Sequence, residues 1–526
     1  MSEASTALSR GRPSPWPSGW GAALARPFLL LAVCALPLLL YLPLLNEPLE
    51  RDEGAYATVA QGLLRGQVPY RDLFDHKGPL VYGWYALSFL LLGEQLAAPR
   101  LLAALALSAT ALLVYWQART LFSRPLAYLA ATAFAAAAGI AWLQPNANSE
   151  AFMLLPLTAS LLCCSHALGR GGGRWWALGG ALAALALLTK QAALWNLLAL
   201  LLFSLAWGWR RAGGLGQRLA PGLAYLGGAG AALGLVVAPF ALLGALDDFA
   251  YANVHYNWLY LGQQAADERL ESLGRGLLMA LMALGPLAAG GAVGLLRLWR
   301  EGQGPRGAVL LLWALASALG VASGGRFFPH YLLQALPALS LLLAAAAAPR
   351  GSLGASRRPW QMAALAVGAT VTITALATNL PVYLQPPVEE RHMVKYPTVQ
   401  AQWQADSRLL GAYLAERTAP DETIYNLGRE TQLYFYADRQ PAARYIYDRP
   451  LWLDEGALEE VLADLAQAPP AYIVDTLQPP LFAQWEEFHP PALMAFLEEN
   501  YDYVGRVLFA DVYRLKGRPS PTEGGS

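Results

Sequence analysis

The sequence predicts an α-helical polytopic membrane protein of about eleven spans, ending in a small soluble α/β domain. Three observations predict it. Hydrophobic residues make up 56% of the 526-residue chain and charged residues only 14%, whereas soluble globular chains carry roughly 25% charge. The apolar residues gather in runs of membrane-crossing length as far as about residue 380. Beyond that point charge returns and short strand and helix patterns alternate. The 37 basic and 37 acidic residues balance to no net charge. That balance and the apolar excess exclude a basic nucleic-acid binder, a disordered chain and an ordinary soluble enzyme.

A helix needs about 20 mostly apolar residues to cross the hydrocarbon core. The rule places spans near 27–45, 99–117, 125–143, 150–168, 175–189, 192–209, 219–243, 276–296, 307–323, 330–348 and 360–379. The segment 79–93 (PLVYGWYALSFLLLG) is shorter, and charge decides its placement. If it stays on one side as an interfacial helix, one face collects Arg119, Arg124, Arg170, Arg174, Arg210, Arg211 and Arg218. The same face takes Arg297, Arg300, Arg306, Arg350, Arg357 and Arg358, and the N-terminal tail adds Arg10, Arg12 and Arg26. The positive-inside rule assigns that face to the cytoplasm. If 79–93 crossed, the arginine bias would break at the second loop. The other face then carries the loops 46–98, 144–149, around 190, 244–275 and 324–329, and everything after about 380. Its acids include Asp52, Glu53, Asp72, Asp75, Glu94, Glu150, Asp247, Asp248, Asp267 and Glu268.

Four organisational units follow: a mobile cytoplasmic N-terminus over 1–26, a membrane domain over 27–379, an outer α/β domain over 380–516 and a mobile tail over 517–526. In the α/β domain, 423–428, 433–437, 471–476 and 503–515 read as strands, and 453–468 and 491–501 as helices. Cys34, Cys163 and Cys164 lie in apolar runs and build neither a disulfide framework nor a zinc spacing.

The informative stretch is 51–80, RDEGAYATVAQGLLRGQVPYRDLFDHKGPL. It follows the first span, so Asp52 and Glu53 sit at the outer membrane surface. Asp52 precedes a helix-compatible run, and one reading makes it the N-cap of that helix. Asp72, Asp75, His76 and Lys77 then lead straight into apolar sequence. Charges at a bilayer boundary cost solvation free energy unless paired or functional. Acid, imidazole and ammonium packed this closely suit an anionic lipid headgroup or a proton-transfer site.

The pattern D-E-x-x-Y-A-x-x-A-x-x-L-x-x-G-x-x-P-Y-x-D-x-x-D-H-K-x-P-L, beginning at Asp52, resembles the GT-C glycosyltransferases. The similar branch is the bacterial one related to protein O-mannosyltransferases and lipid A aminoarabinose transferases. NANSEAFMLLPL (146–157), LLTKQAALW (187–195) and GGRFFPHYLLQALPAL (324–339) are also similar to that group, and the resemblance covers 27–379. Gly78 departs from it, since the family often has a second proline there. The charge map adds independent support, because it puts Asp52, Lys77, Glu150, Lys190, His255, Arg326 and His330 all on the outer face.

The resemblance implies a polyprenyl-phosphate sugar as donor, an envelope acceptor, inversion at the anomeric carbon and Asp52 as general base. It also implies a bacterial cytoplasmic (inner) membrane. Glu150 is then a second carboxylate that orients the acceptor or assists the base, against a first-turn acid favoured by the helix dipole. Lys77 is the first choice for the lipid phosphate, against a lysine snorkelling to water; Lys190 has the same two readings. Arg326 would pair with phosphate bidentately, and otherwise is an outer-loop charge. His330 reads as a hydrogen-bonded histidine, and His76 and His255 as sharing a hydrogen-bond network or a metal. Glu53, Asp75, Tyr56 and Tyr70 complete the substrate-binding candidates, with Tyr82, Trp84, Tyr85 and the run 251–260 as sugar platforms or interface anchors. No cofactor or catalytic metal is expected, although a divalent ion stays an open alternative, and no nucleic-acid partner is implied. The competing reading is a transporter or flippase, which would place its polar residues at mid-depth on broken helices.

Overall fold

The computed structural model describes residues 20–518 apart from 171, 302–303, 349–357, 385–387, 397–398 and 478–488. Most of the Pro/Gly/Ser-rich head and tail, with Arg10, Arg12, Arg350 and Arg357, therefore lies outside the described residues. The helices begin with α1 (Trp20–Tyr41), α2 (Arg51–Leu64), α3 (Pro79–Leu92), α4 (Ala97–Arg119) and α5 (Arg124–Ala137). They continue with α6 (Ser149–Arg170), α7 (Gly173–Thr189), α8 (Leu194–Trp209), α9 (Leu215–Leu242), α10 (Leu246–Ala250) and α11 (Tyr256–Gly262). The membrane region closes with α12 (Ala266–Glu301), α13 (Gly304–Ser323), α14 (Leu336–Ala347) and α15 (Arg358–Leu384).

Among the described residues, 9 helical segments are long and apolar enough to cross a membrane, on α1, α4, α6, α8, α9, α12, α13, α14 joined to the 3-10 helix Pro329–Ala335 before it, and α15. The expected spans over 125–143 and 175–189 are α5, with 14 residues, and α7, with 17. Both fall short of the roughly 20 residues a crossing takes. Their alanines and glycines are largely buried between neighbouring helices, so these two need not present a long apolar face to lipid. The segment at 79–93 is the 14-residue α3, also below crossing length.

After α16 (Val388–Lys395) and α17 (Val399–Ala415) the chain builds a four-stranded sheet from β1 (Ile424–Asn426), β2 (Tyr472–Asp475), β3 (Tyr501–Val507) and β4 (Ala510–Leu515). The order is β1-β2-β4-β3, with β1 parallel to β2 and the other pairs antiparallel. Helices α18 (Gln432–Ala437), α19 (Arg449–Leu453), α20 (Glu455–Gln467) and α21 (Pro491–Asn500) accompany it. Two strand expectations are corrected. The stretch 433–437 is helical, because Gln432 packs on α2 where Gly54 has no side chain; a Cβ there would lie 2.5 Å from the Gln432 nitrogen. The stretch 503–515 is a hairpin turning at Leu508, whose φ is 57°.

This region is knit onto the first outer loop. The Arg51 guanidinium donates to Glu430 at 2.7 and 2.9 Å, and Thr431 Oγ1 donates to the Arg51 carbonyl at 2.7 Å. The Leu49 N–H donates to the Tyr436 hydroxyl, and the Phe74 N–H to the Arg444 carbonyl. Buried Lys395 on α16 donates to Glu47 at 2.7 Å.

Candidate functional site

The start of α2 sets the geometry. Glu50, not Asp52, is the N-cap: its carboxylate accepts from the Asp52 N–H, and Glu53 returns a bond to the Glu50 N–H. That capping box satisfies the free amides at the helix start. The Asp52 side chain is left free of the capping role.

Adjacent helical residues point about 100° apart, and here the two acids part company. Glu53 is fully buried against Arg100 of α4, at 2.9 Å to Nε and 2.5 Å to Nη2. It lies away from the cavity described next. Asp52 turns the other way, 39% exposed, and accepts from Lys77 Nζ at 3.2 Å.

The cavity has a volume of about 400 Å³, and Asp52, Asp75, His76, Lys77, Arg326 and His330 all line it. The C-terminal region closes it with Arg429, Thr431, Tyr447 and Arg449. The turn after Lys77 is pressed onto the end of α7: a Cβ on Gly78 would lie 2.2 Å from the Leu188 carbonyl oxygen. The family's second proline would therefore need a different approach of α7.

Charge is arranged in linked pairs. Burial pushes the Asp52 carboxyl up, but the Lys77 ammonium, with His330 and His76, outweighs it and holds the group below the usual carboxylate range. Burial pulls the Lys77 ammonium down, but Asp52 and Asp75 outweigh it and keep it charged. Burial beside Asp52 and Glu53 pushes the Glu50 carboxyl well up. A second pair lies behind the first. Glu150, at the start of α6, is ion-paired with Lys190 and lies 3.8 Å from His330 Nε2. The Lys190 ammonium sits 4.1 Å from the Tyr331 ring centroid.

The remaining candidates separate. Tyr56 is buried and donates to Asp52 at a long 3.4 Å. Tyr70, also buried, donates to the Lys77 carbonyl at 2.7 Å, holding the loop rather than facing the cavity. Tyr82 donates to Asp75 at 2.9 Å. The Arg326 guanidinium lies 4.2 Å from the Tyr260 ring centroid. His255 is exposed in the turn Tyr251–His255 with its ring near Tyr251, apart from the cavity lining. It does not join His76. His255→Ala should therefore change activity by no more than about twofold, as for a surface substitution; steady-state kinetics checks this. Sequence reasoning missed Tyr396, Gln404, Arg429, Tyr447 and Arg449, all lining the cavity. They come from a region where the motif resemblance was silent.

Among the described residues, no group of three or more His, Cys, Asp or Glu side chains is placed to hold a metal ion.

Residues 76–241 match the family model for dolichyl-phosphate-mannose-protein mannosyltransferases. The fold is similar to that of ArnT from Cupriavidus metallidurans bound to undecaprenyl phosphate, at 16% identity and a TM-score of 0.60, covering 94% of this chain and 98% of that one. The apo ArnT structure from the same organism matches at 16% identity and a TM-score of 0.58 over the same shares. The chain has the GT-C fold. No curated protein sequence matches it. The chain is a multi-pass membrane protein with this fold, and the C-terminal sheet region forms part of the cavity wall.

Proposed function

We propose that the protein is an integral membrane glycosyltransferase that moves a hexose or pentose from a polyprenyl phosphate to an acceptor in the cell envelope. The observation that carries this reading is the Asp52–Lys77 pair on the cavity wall: a proton acceptor beside a fixed cation. The match to dolichyl-phosphate-mannose-protein mannosyltransferases and the fold shared with ArnT bound to undecaprenyl phosphate support a lipid-phosphate donor. The arginine map supports a cavity on the non-cytoplasmic face, with the N-terminus cytoplasmic, in a bacterial inner membrane.

In this reading the acceptor hydroxyl attacks the anomeric carbon from the side opposite the phosphate. The new C–O bond forms as the bond to the phosphate oxygen breaks, and inversion follows. Asp52 takes the hydroxyl proton, and the Lys77 ammonium neutralises charge growing on the phosphate. Lysine has three N–H donors, so Lys77 can hold the phosphate and Asp52 together. Drawing Lys77 toward phosphate weakens its hold on Asp52 and makes the carboxylate more basic when the donor is bound. Arg326 supplies a second cation, and Glu150 with Lys190 and His330 orients the acceptor. A groove lined by Leu261, Arg269, Leu270, Leu273 and Phe327, on the segments that also carry the cavity residues Tyr260 and Arg326, is where this reading places the prenyl chain.

The test is reconstitution. Purified protein given polyprenyl-phosphate sugars and envelope fractions should transfer label to an acceptor; label that stays on the lipid with every sugar and fraction counts against the reading. A pH profile tests the pairing. Lys77 holds the Asp52 carboxyl low, so the wild-type group stays ionised well into acid and activity should not fall on its account near neutrality. In Lys77→Gln the carboxyl rises, and the acid limb of residual kcat/KM should move to higher pH.

A further inference from the structure

The C-terminal region also inserts a hydroxyl into the first loop. Tyr447 is buried; its oxygen lies 3.0 Å from His76 Nδ1, and it donates to Asp75 Oδ1 at 3.3 Å. The same carboxylate oxygen accepts the His76 N–H at 2.7 Å and lies 3.3 Å from His76 Nδ1. The His76 ring packs against Tyr256 and Tyr260, with centroids 5.4 and 5.1 Å away. Its carbonyl accepts from Gln191 and Asn257. The Asp52–Lys77 chemistry explains none of this.

Proton positions follow from the donor inventory. An ionised carboxylate only accepts, and a tyrosine hydroxyl has one proton. With that proton directed to Asp75, the Tyr447 oxygen meets His76 Nδ1 as an acceptor, so Nδ1 must carry hydrogen. The reverse tautomer would leave a bare, electron-rich Nδ1 only 3.3 Å from the Asp75 carboxylate oxygen, an acceptor against an acceptor. Burial and the Lys77 charge hold His76 below the ordinary imidazole range, so the ring is neutral at pH 7 and has one ring proton to place. Nε2 has no protein hydrogen-bond partner among the described residues, on a side chain 14% exposed that lines the cavity.

We propose that Tyr447 and Asp75 lock His76 as the Nδ1–H tautomer, and that its bare Nε2 accepts a hydrogen bond from a hydroxyl of the sugar being transferred. His76 touches the sugar, next in sequence to the phosphate-binding Lys77, and Tyr447 is a positioning residue acting through it. The tautomer rests on the Tyr447 and Asp75 geometry together with a neutral ring; the sugar contact rests on the glycosyltransferase reading.

Nitrogen-15 NMR of the full chain in bilayers, with labelled histidine and His76→Asn for assignment, reads both parts. The wild type should show a protonated Nδ1 and a bare Nε2 at His76. Tyr447→Phe, which keeps the ring but removes the hydroxyl, should shift the ring toward the Nε2–H form. An Nε2–H or doubly protonated ring in the wild type, or no change in Tyr447→Phe, overturns the lock whether or not transfer is ever seen. For the contact, undecaprenyl phosphate carrying mannose, glucose or arabinose is compared with bare undecaprenyl phosphate. The Nε2 resonance should move with at least one sugar-bearing lipid and stay put with the bare one. Movement with the bare lipid, or with none of the four, overturns the sugar contact.

Discussion

Asp52→Asn should lower kcat about a thousand-fold, within the range general-base removal typically produces, while leaving the fold intact. Asparagine keeps the shape of the side chain but cannot take a proton. The start of α2 should survive, because Glu50 and Glu53 form the capping box and Asp52 gives it only a backbone N–H, which asparagine keeps. Donor affinity should hold or rise, since Lys77 loses its competing carboxylate. The variant should therefore show a collapsed kcat with KM for the donor unchanged or lower, as expected when a group acts only in the transition state. Steady-state kinetics with the lipid-linked sugar varied measures both. An activity near wild type would remove Asp52 as the base.

Glu53→Ala should be the most destabilising single change in the first loop, by about 3–5 kcal/mol, the typical cost of breaking a buried ion pair. The Arg100 guanidinium is 1% exposed, and its five N–H groups meet five acceptors. They are the two Glu53 oxygens and the carbonyls of Leu44, Glu47 and Pro48. Glu53 in turn accepts from the Ala147 N–H at 2.9 Å and the Glu50 N–H at 3.1 Å. One carboxylate thus ties together the end of the first span, α2, α4 and the loop before α6. Removing it leaves a buried charge without its counter-ion. Replacing both partners by methionine should restore part of the loss, because a buried pair exchanged for apolar packing is often neutral. Thermal unfolding in detergent tests both variants; Glu53→Ala as stable as wild type would contradict the knot.

Much of this was legible in the sequence. The apolar runs located the nine crossing-length segments among the described residues, and the first-loop motif marked Asp52, Asp75, His76 and Lys77, which the fold brings to one cavity. The resolution failed at neighbouring residues. Asp52 and Glu53 form one acidic dipeptide, and only Arg100 and Lys77, contributed by distant segments, decide which faces the cavity. His255 failed for the same reason: placement on one face of the membrane does not bring a residue to one site. The C-terminal contribution was not legible, because Tyr447 meets His76 across 371 positions and Glu430 meets Arg51 across 379. The strand-like stretch LYFYA turned helical because its partner is α2 rather than another strand; tertiary packing overrode local propensity.

The most direct measurement is native mass spectrometry of the purified protein with undecaprenyl phosphate. The wild type and Asp52→Asn should retain the lipid, and Lys77→Met should lose it, because the only charge removed is the one assigned to the phosphate. Equal retention by Lys77→Met and the wild type would contradict the account.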